Sequence, residues 1–506
     1  MAARGLSVRR IFFFLGPILF MLCLFIPSSA EMMEAARTSN VSDWGPKFGL
    51  GVLIWTAIWW VGEVVPLGQA ALIPPTLFGF SGIMAWRDGL APFMDPLIWV
   101  IIIGFLFARA FQIWGLDKRV ALTLASVSRT SNPMIAGFFV ACLPVFLLTL
   151  TGSMTASTSI VFGFVLAFLG RQGFQRGSRY GTATLIALGQ AATAGSLIFL
   201  TSTTTNLIAK RVVSETTGVN INFVDWFFVG TPHALIGLIT TWIIVYSLVR
   251  PEAKTLPLDP STLRRDIQVL GPISQGERLT IYLLALAFLM WLAPGMLVIA
   301  ASLSPSLTQI SATVSKIVPE AAPSVLILLL FPLLKVGERP ILKWNEILTE
   351  AINWDVVFLV GGGITLGIGL INSGFAAWVG SIFKQVAGAS PNAWTIFTLS
   401  SLVGFLLSYP ASNTGAASVA CPLAAALSMA TGVNPIPSIL GAAIATTIPS
   451  SLPSTTPAVA IVYSSGYVRI RDLFSVGIVC DCIRFLVLIL IGYPTANFFL
   501  TMKIKG

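Results

Sequence analysis

Two stretches decide the fold: Phe358 to Gly374 reads FLVGGGITLGIGLINSG, and Trp99 to Gly115 reads WVIIIGFLFARAFQIWG. Each is an apolar run of helix-spanning character that closes on a glycine followed by an apolar residue. Gly104 pairs with Gly363 and Gly115 with Gly374 at a common offset of 259 residues. The same offset lays Ser153-Met154-Thr155 over Ser412-Asn413-Thr414. Farther along, Gly189 meets Gly441, and Ser202-Thr203-Thr204 meets Ser454-Thr455-Thr456, at an offset of 252, so that a seven-residue deletion reconciles the two halves. The matched positions are glycine or polar. Apolar helices that resembled one another by chance would instead match at Leu and Val, so the chain is read as an internal repeat.

Composition agrees. Of 506 residues, 56% are hydrophobic and only 10% charged, with a mean hydropathy of +0.88, whereas a soluble domain carries about 25% charged residues. A bilayer core requires about 20 apolar residues per helix, and runs such as Ile11 to Ile26 and Phe48 to Trp60 supply them repeatedly. Ten or eleven spans are expected, in one membrane bundle. The net charge of +10 is not spread along an amphipathic face, so no nucleic-acid partner is expected. Arg4, Arg9 and Arg10, then Arg171, Arg176 and Arg179, then Arg250, Lys254, Arg264 and Arg265 lie in short polar segments next to apolar ones. The positive-inside rule places all three groups in the cytoplasm. Lys503 and Lys505 argue for the same side, which leaves the C-terminus open. The first segment also resembles a secretory leader ending near Pro27-Ser28-Ser29-Ala30, but its apolar run is long enough to span. Cys421, Cys480 and Cys482 fall in apolar runs, where thiols pack as small hydrophobes.

Each half contributes two polar clusters: Thr149 to Ser159 and Thr201 to Asn206 in the first, Ser408 to Ser418 and Pro449 to Pro457 in the second. Pro449, Pro453 and Pro457 exclude one uninterrupted helix across the last of these. Irregular backbone at membrane depth is tolerated only where it is buried in protein or lines a wet cavity, and repeated halves with interrupted helices are how many secondary transporters hold their substrate. The side chains are hydroxyls and the amides of Asn206 and Asn413. Hydroxyl and carbonyl oxygens suit Na⁺; helix N-termini, amides and hydroxyl donors suit a carboxylate. The competing reading is that Ser, Thr and Gly merely permit close helix packing.

At these residues the sequence resembles the divalent-anion:sodium symporter family, which includes sodium–dicarboxylate and sodium–citrate cotransporters and related exchangers. Trp59-Trp60-Val61-Gly62-Glu63-Val64-Val65-Pro66 and Leu72-Ile73-Pro74 are similar to its early signature, and Ser412-Asn413-Thr414 to its second Ser-Asn-Thr motif. The resemblance implies an all-α integral membrane protein of about eleven transmembrane helices in two inverted repeats, each with a re-entrant hairpin. It also implies a homodimer in lipid, an elevator-type motion and an uncleaved first helix. The expected organisation is N-terminal scaffold helices in 1–95, a first repeat with hairpin and broken helix in 96–250, linker and scaffold helices in 251–350, and a second repeat in 351–506. By position, Ser153, Met154 and Thr155, Ser412, Asn413 and Thr414, and the loops Ser202, Thr203, Thr204 and Ser454, Thr455, Thr456 would surround substrate. Thr149, Ser153, Ser408 and Asn413 are the candidate Na⁺ ligands.

Two departures fall in the first half: Met154 where the family has Asn, and Thr204-Thr205 where proline is usual. A thioether cannot donate a hydrogen bond and is a poor Na⁺ ligand. The asymmetry implies a changed first cation site, a changed substrate, or an exchanger that does without one Na⁺. Symport and antiport both stay open, as do C4-type dicarboxylate on one side and sulfonate, sulfate or monocarboxylate on the other. Among ionisable groups, Asp355 is expected to cap the helix it opens, His233 to be structural or interfacial, and Glu63 is a candidate proton site. A single histidine argues against an intramembrane enzyme using a histidine base or metal, and no phosphate-binding loop supports ATP-driven pumping. Compact loops and short termini suggest a bacterial inner membrane.

Overall fold

Helix ends in this chain are set by Ser, Asn and Gly, and they fall at matching places in the two halves. The computed structural model describes residues 2–62, 64–127, 130–256, 268–319, 321–387, 392–409, 412–453 and 455–504; Glu63, Arg264, Arg265, Ser454 and Lys505 lie outside the described residues. Helices α1 (Ala2–Leu24) and α2 (Gly45–Val61) pack together near the start, with Phe13 stacked on Trp59 at 5.3 Å. The first repeat contains α3 (Pro96–Trp114), α4 (Pro133–Leu148), α5 (Met154–Arg171), α6 (Arg179–Gly195), α7 (Thr204–Thr217) and α8 (Phe223–Leu248). Helices α9 (Gln275–Leu303) and α10 (Ala321–Leu333) follow, and a two-residue ribbon, β1 (Lys335–Val336) with β2 (Arg339–Pro340), leads into the second half. There α11 (Trp354–Asn372), α12 (Ala393–Ser408), α13 (Asn413–Ala430), α14 (Pro435–Thr447), α15 (Pro457–Ser464) and α16 (Ile470–Val487) repeat the order.

The correspondence extends to individual caps. Helix α5 opens after Ser153, whose hydroxyl accepts from the Ala156 amide, and α13 opens after Ser412, whose hydroxyl accepts from the Gly415 amide. Both are 18 residues long. Gly115 and Gly374 follow α3 and α11 with φ of +74° and +77°, a left-handed conformation that terminates a helix and favours glycine. Gly104 and Gly363 allow the hairpins to come close. A Cβ on Gly104 would lie 2.9 Å from the Gly152 carbonyl oxygen, and one on Gly363 would lie 2.5 Å from Ser418 Oγ.

Among the described residues, six helices are long and apolar enough to cross a membrane. A seventh arises if Thr308–Ile317 and Ala321–Leu333, bent by 51°, form one span. Leu67–Phe80, Pro133–Leu148, Ala393–Ser408 and Pro435–Thr447 are apolar but shorter. The shortness of these four helices has a geometric consequence. At 1.5 Å per residue, a helix of 13 residues such as α14 reaches only about 20 Å of a roughly 30 Å core. The polar breaks that define the site are what shorten these helices.

Two expectations about single residues, for Asp355 and Cys482, are corrected. Asn353, not Asp355, caps α11: its side chain accepts from the Val356 amide at 3.4 Å, and Asp355 sits in the first turn. His233 is buried within α8, in keeping with the structural one of its two expected roles. Cys482 is exposed, while Cys421 and Cys480 are buried as expected.

Candidate functional site

In the second repeat, α12 ends at Tyr409 and α13 opens after Ser412 to pack against it, and α14 breaks at Ile448 before α15 restarts at Pro457. Proline at the first helical position has no amide to leave unpaired, and Thr456 caps the restart by accepting from the Val459 amide at 3.2 Å. The break and the hairpin turn meet at Asn413. Its amide nitrogen on the main chain donates to the Thr455 carbonyl at 2.9 Å. Its side-chain amide lies 2.6 Å from Ser408 Oγ and 3.1 Å from the carbonyl oxygens of Thr446 and Thr455. Ser408 also donates to the Thr446 carbonyl at 2.8 Å. With its nitrogen inward, Asn413 donates to these oxygens. That arrangement satisfies the cluster within the protein, and only with the amide turned so that its oxygen faces inward does the cluster become an all-oxygen set suited to a cation. Ser408 and Asn413 thus fit a Na⁺ site in their donor set.

The first repeat is built alike and ligated differently. The hairpin α4–α5 turns at Gly152, whose φ is +87°, and α6 breaks after Gly195. Thr149 occupies the place of Ser408, but its hydroxyl turns back to the Phe146 carbonyl of its own helix at 2.7 Å. Ser202 in the break donates to the Thr149 carbonyl at 3.0 Å, so this break too rests on its own hairpin. Met154 replaces the inward amide and is 9% exposed, packed in the apolar core. Asn206, read as a possible ligand, donates to the carbonyls of Ser196 at 2.8 Å and Phe199 at 3.0 Å and so braces the break. Thr203 caps α7 by position without a side-chain hydrogen bond, and Thr155 is exposed at the hairpin tip.

Two hydroxyl pairs join the halves. Thr204 Oγ1 lies 2.6 Å from Thr414 Oγ1, tying the first break to the second hairpin. Thr205 Oγ1 lies 2.8 Å from Thr447 Oγ1, tying the first break to the second. Clusters far apart in the chain therefore share one centre. Trp60 of the early signature is buried, donates to the Leu67 carbonyl at 3.3 Å, and flanks Gly415 just behind the second tip.

Sequence reasoning missed two residues near this centre. Asp481 and Arg484 lie on α16, 0% and 4% exposed, inside an apolar helix. Two ionisable residues one turn apart in a run of hydrophobes were a visible signal, because such residues face protein or water rather than lipid.

A multi-helix membrane chain with two hairpin tips and two helix breaks around one polar centre has the architecture of a secondary transporter. The chain belongs to the divalent-anion:sodium symporter family: the family model described as the sodium:sulfate symporter transmembrane region matches residues 15–500. It is 28% identical over 489 residues to the sodium-dependent dicarboxylate transporter SdcS of Staphylococcus saprophyticus, covering 95% of this chain and 90% of that protein. SdcS of Staphylococcus aureus is 27% identical, with coverage of 95% and 89%. Among solved structures, MtrF of Neisseria gonorrhoeae, from a class of antimetabolite efflux pumps, is similar in fold with a TM-score of 0.50. The identity there is 15%, over 83% of this chain and 84% of that one.

Proposed function

We propose that the chain carries small organic dianions, of the C4 dicarboxylate type, across a bacterial cell membrane by Na⁺ symport or anion exchange. The observation that supports this most is the oxygen cluster around Asn413, placed where both hairpins and both breaks converge. A cation held by Asn413, Ser408 and the Thr446 and Thr455 carbonyls puts positive charge beside the N-terminus of α13. That terminus and the Ser412 and Thr414 hydroxyls are suited to a carboxylate. No Lys or Arg occurs within the four clusters, so binding depends on dipoles and the co-bound cation, and release follows when the cation leaves. The relatives named as sodium-dependent dicarboxylate transporters agree with this reading. Two inverted repeats, a homodimer and an elevator-like displacement of the hairpins against the N-terminal helices complete the proposal.

Met154 favours a second reading. With a thioether at the first tip, the partner for a second carboxylate is reduced, and a sulfonate, sulfate or monocarboxylate becomes the alternative cargo. Uptake of radiolabelled succinate into proteoliposomes separates these outcomes. Uptake that needs an inward Na⁺ gradient is expected for symport, and uptake that needs internal succinate but no Na⁺ is expected for exchange. Absence of both, with saturable uptake of sulfate or a sulfonate, replaces the dicarboxylate reading by the second.

A further inference from the structure

The breaks that frame the two tips are braced in different ways. At the first, bracing is neutral: the Trp226 indole donates to the Leu197 carbonyl at 2.9 Å, and Asn206 takes the Ser196 and Phe199 carbonyls. At the second, bracing comes from charged side chains on α16. The Asp481 carboxylate accepts from the Ser450 amide at 3.1 Å, from Ser450 Oγ at 3.1 Å and from the Tyr409 hydroxyl at 3.1 Å. It also accepts from Gln190 Nε2 at 3.4 Å. Arg484 Nη1 donates to Thr193 Oγ1 at 2.9 Å and to Gln190 Oε1 at 3.3 Å, and reaches the Ile448 carbonyl and Ser450 Oγ at 3.4 Å. Arg484 and His233 both line a small cavity, and Arg484 Nη2 and His233 Nε2 are buried without a hydrogen-bond partner.

These contacts sort the carbonyls of the break. The Thr446 and Thr447 carbonyls turn toward Ser408 and Asn413. The next carbonyl, Ile448, is drawn the other way, by Arg484 and by Ser450 Oγ at 2.8 Å. Asp481 holds the Ser450 amide and, through Tyr409, the residue that begins the hairpin turn. One carboxylate thus grips both walls of the Asn413 cluster from behind, without touching the cluster. A buried charge is costly unless its hydrogen bonds are satisfied, so a break that must hold carbonyl oxygens toward a cation is held more rigidly by charged partners than by neutral ones.

We infer that Asp481 and Arg484 are positioning residues for the second cation site, setting its Na⁺ affinity by fixing the break at Ile448–Ser450 and the hairpin turn at Tyr409. The inference rests on the Na⁺ reading given above. Asp481→Asn keeps the shape but gives up the charge and faces one donor with another. It is expected to raise the Na⁺ concentration for half-maximal uptake about tenfold, as suits the loss of one charge-assisted hydrogen bond. The substrate concentration for half-maximal uptake, measured at saturating Na⁺, should change less than about twofold, because the groups facing substrate are untouched. Tyr409→Phe keeps both charges and removes one donor, so it should shift the Na⁺ response the same way by about threefold. It decides the matter if the Asp481 variant fails to yield monodisperse protein. Na⁺-dependent thermal stabilisation in detergent should shift in parallel with uptake. An unchanged Na⁺ response in a folded variant with reduced maximal rate overturns the inference, since a merely structural role predicts that pattern. A wild-type protein indifferent to Na⁺ in both assays overturns the underlying reading instead, and the two failures are told apart by the wild-type control.

Discussion

The two hairpin tips begin with the same serine cap and end their 18-residue helices at the same relative position, yet one gathers oxygens and the other does not. At the second tip, Ser408 and Asn413 face the Thr446 and Thr455 carbonyls across 2.6–3.1 Å. At the first, the Thr149 hydroxyl is spent on its own helix, Met154 packs into the core, and Asn206 takes the carbonyls of the break. The two tips share their backbone geometry and differ in where their polar side chains turn. A repeat of this kind needs both hairpins to build the walls of one centre, while the side chains at each tip can differ, so wall-building and ligation can separate in the sequence.

The widest difference between the tips should appear when the second is emptied. Asn413→Ala removes the central side chain and leaves the buried Thr446 and Thr455 carbonyls without it. Uptake is expected to fall about 100-fold, in keeping with a loss of ~3 kcal/mol for a buried polar group at the upper end of its range. The matching change at the first tip, Met154→Ala, should lower uptake by less than about fivefold, because only apolar packing is lost there at a site that can collapse. Initial rates in proteoliposomes, with size exclusion to show folded protein, compare the two. Equal losses would mean that the first tip is as central as the second.

Filling the first tip sharpens the contrast from the other side. Met154→Asn restores an amide at the position equivalent to Asn413. If the first cage otherwise survives, half-saturating Na⁺ should fall about three- to tenfold, the worth of about one hydrogen-bonding ligand. A flat response would show that the turned-back hydroxyl of Thr149 and the braced carbonyls at Ser196 and Phe199 have closed the cage independently of residue 154.

How far the fold was legible depended on whether its cause was local. Helix ends depend on residues nearby in the chain, so the closing glycines Gly115 and Gly374 and the prolines of the second break were readable, whereas the capping roles of Ser153 and Ser412 were not read from the sequence. Resemblance and spacing pointed to Thr204, Ser408, Asn413 and Thr414, which the structure brings within hydrogen-bond reach of one another in pairs. What could not be read was the direction of each hydroxyl and amide. Thr149 and Ser408 have similar side chains at equivalent places, and only the packed neighbours turn one toward Phe146 and the other toward Thr446. Asn206 resembles a ligand by residue type, and its donors go to carbonyls seven and ten residues back across a broken helix. Asp481 and Arg484 were passed over because their partners, Gln190 and Ser450, are far from them in the chain.

The smallest expected effect probes the seam between the halves. The Thr204–Thr414 hydroxyl pair, at 2.6 Å, joins the first break to the second tip, and Thr204 stands where proline is usual in the family. Thr204→Val and Thr414→Val each remove one hydroxyl of that pair, and each should weaken substrate binding by ~1 kcal/mol, about fivefold. The double variant tests whether the pair acts as a unit, because residues in direct contact are not additive. If the hydrogen bond itself orients the second tip, the double variant should lose little more than either single one. Additive losses would instead mean that each hydroxyl meets the substrate separately, so that the first break contributes a ligand of its own despite the altered cage beside it.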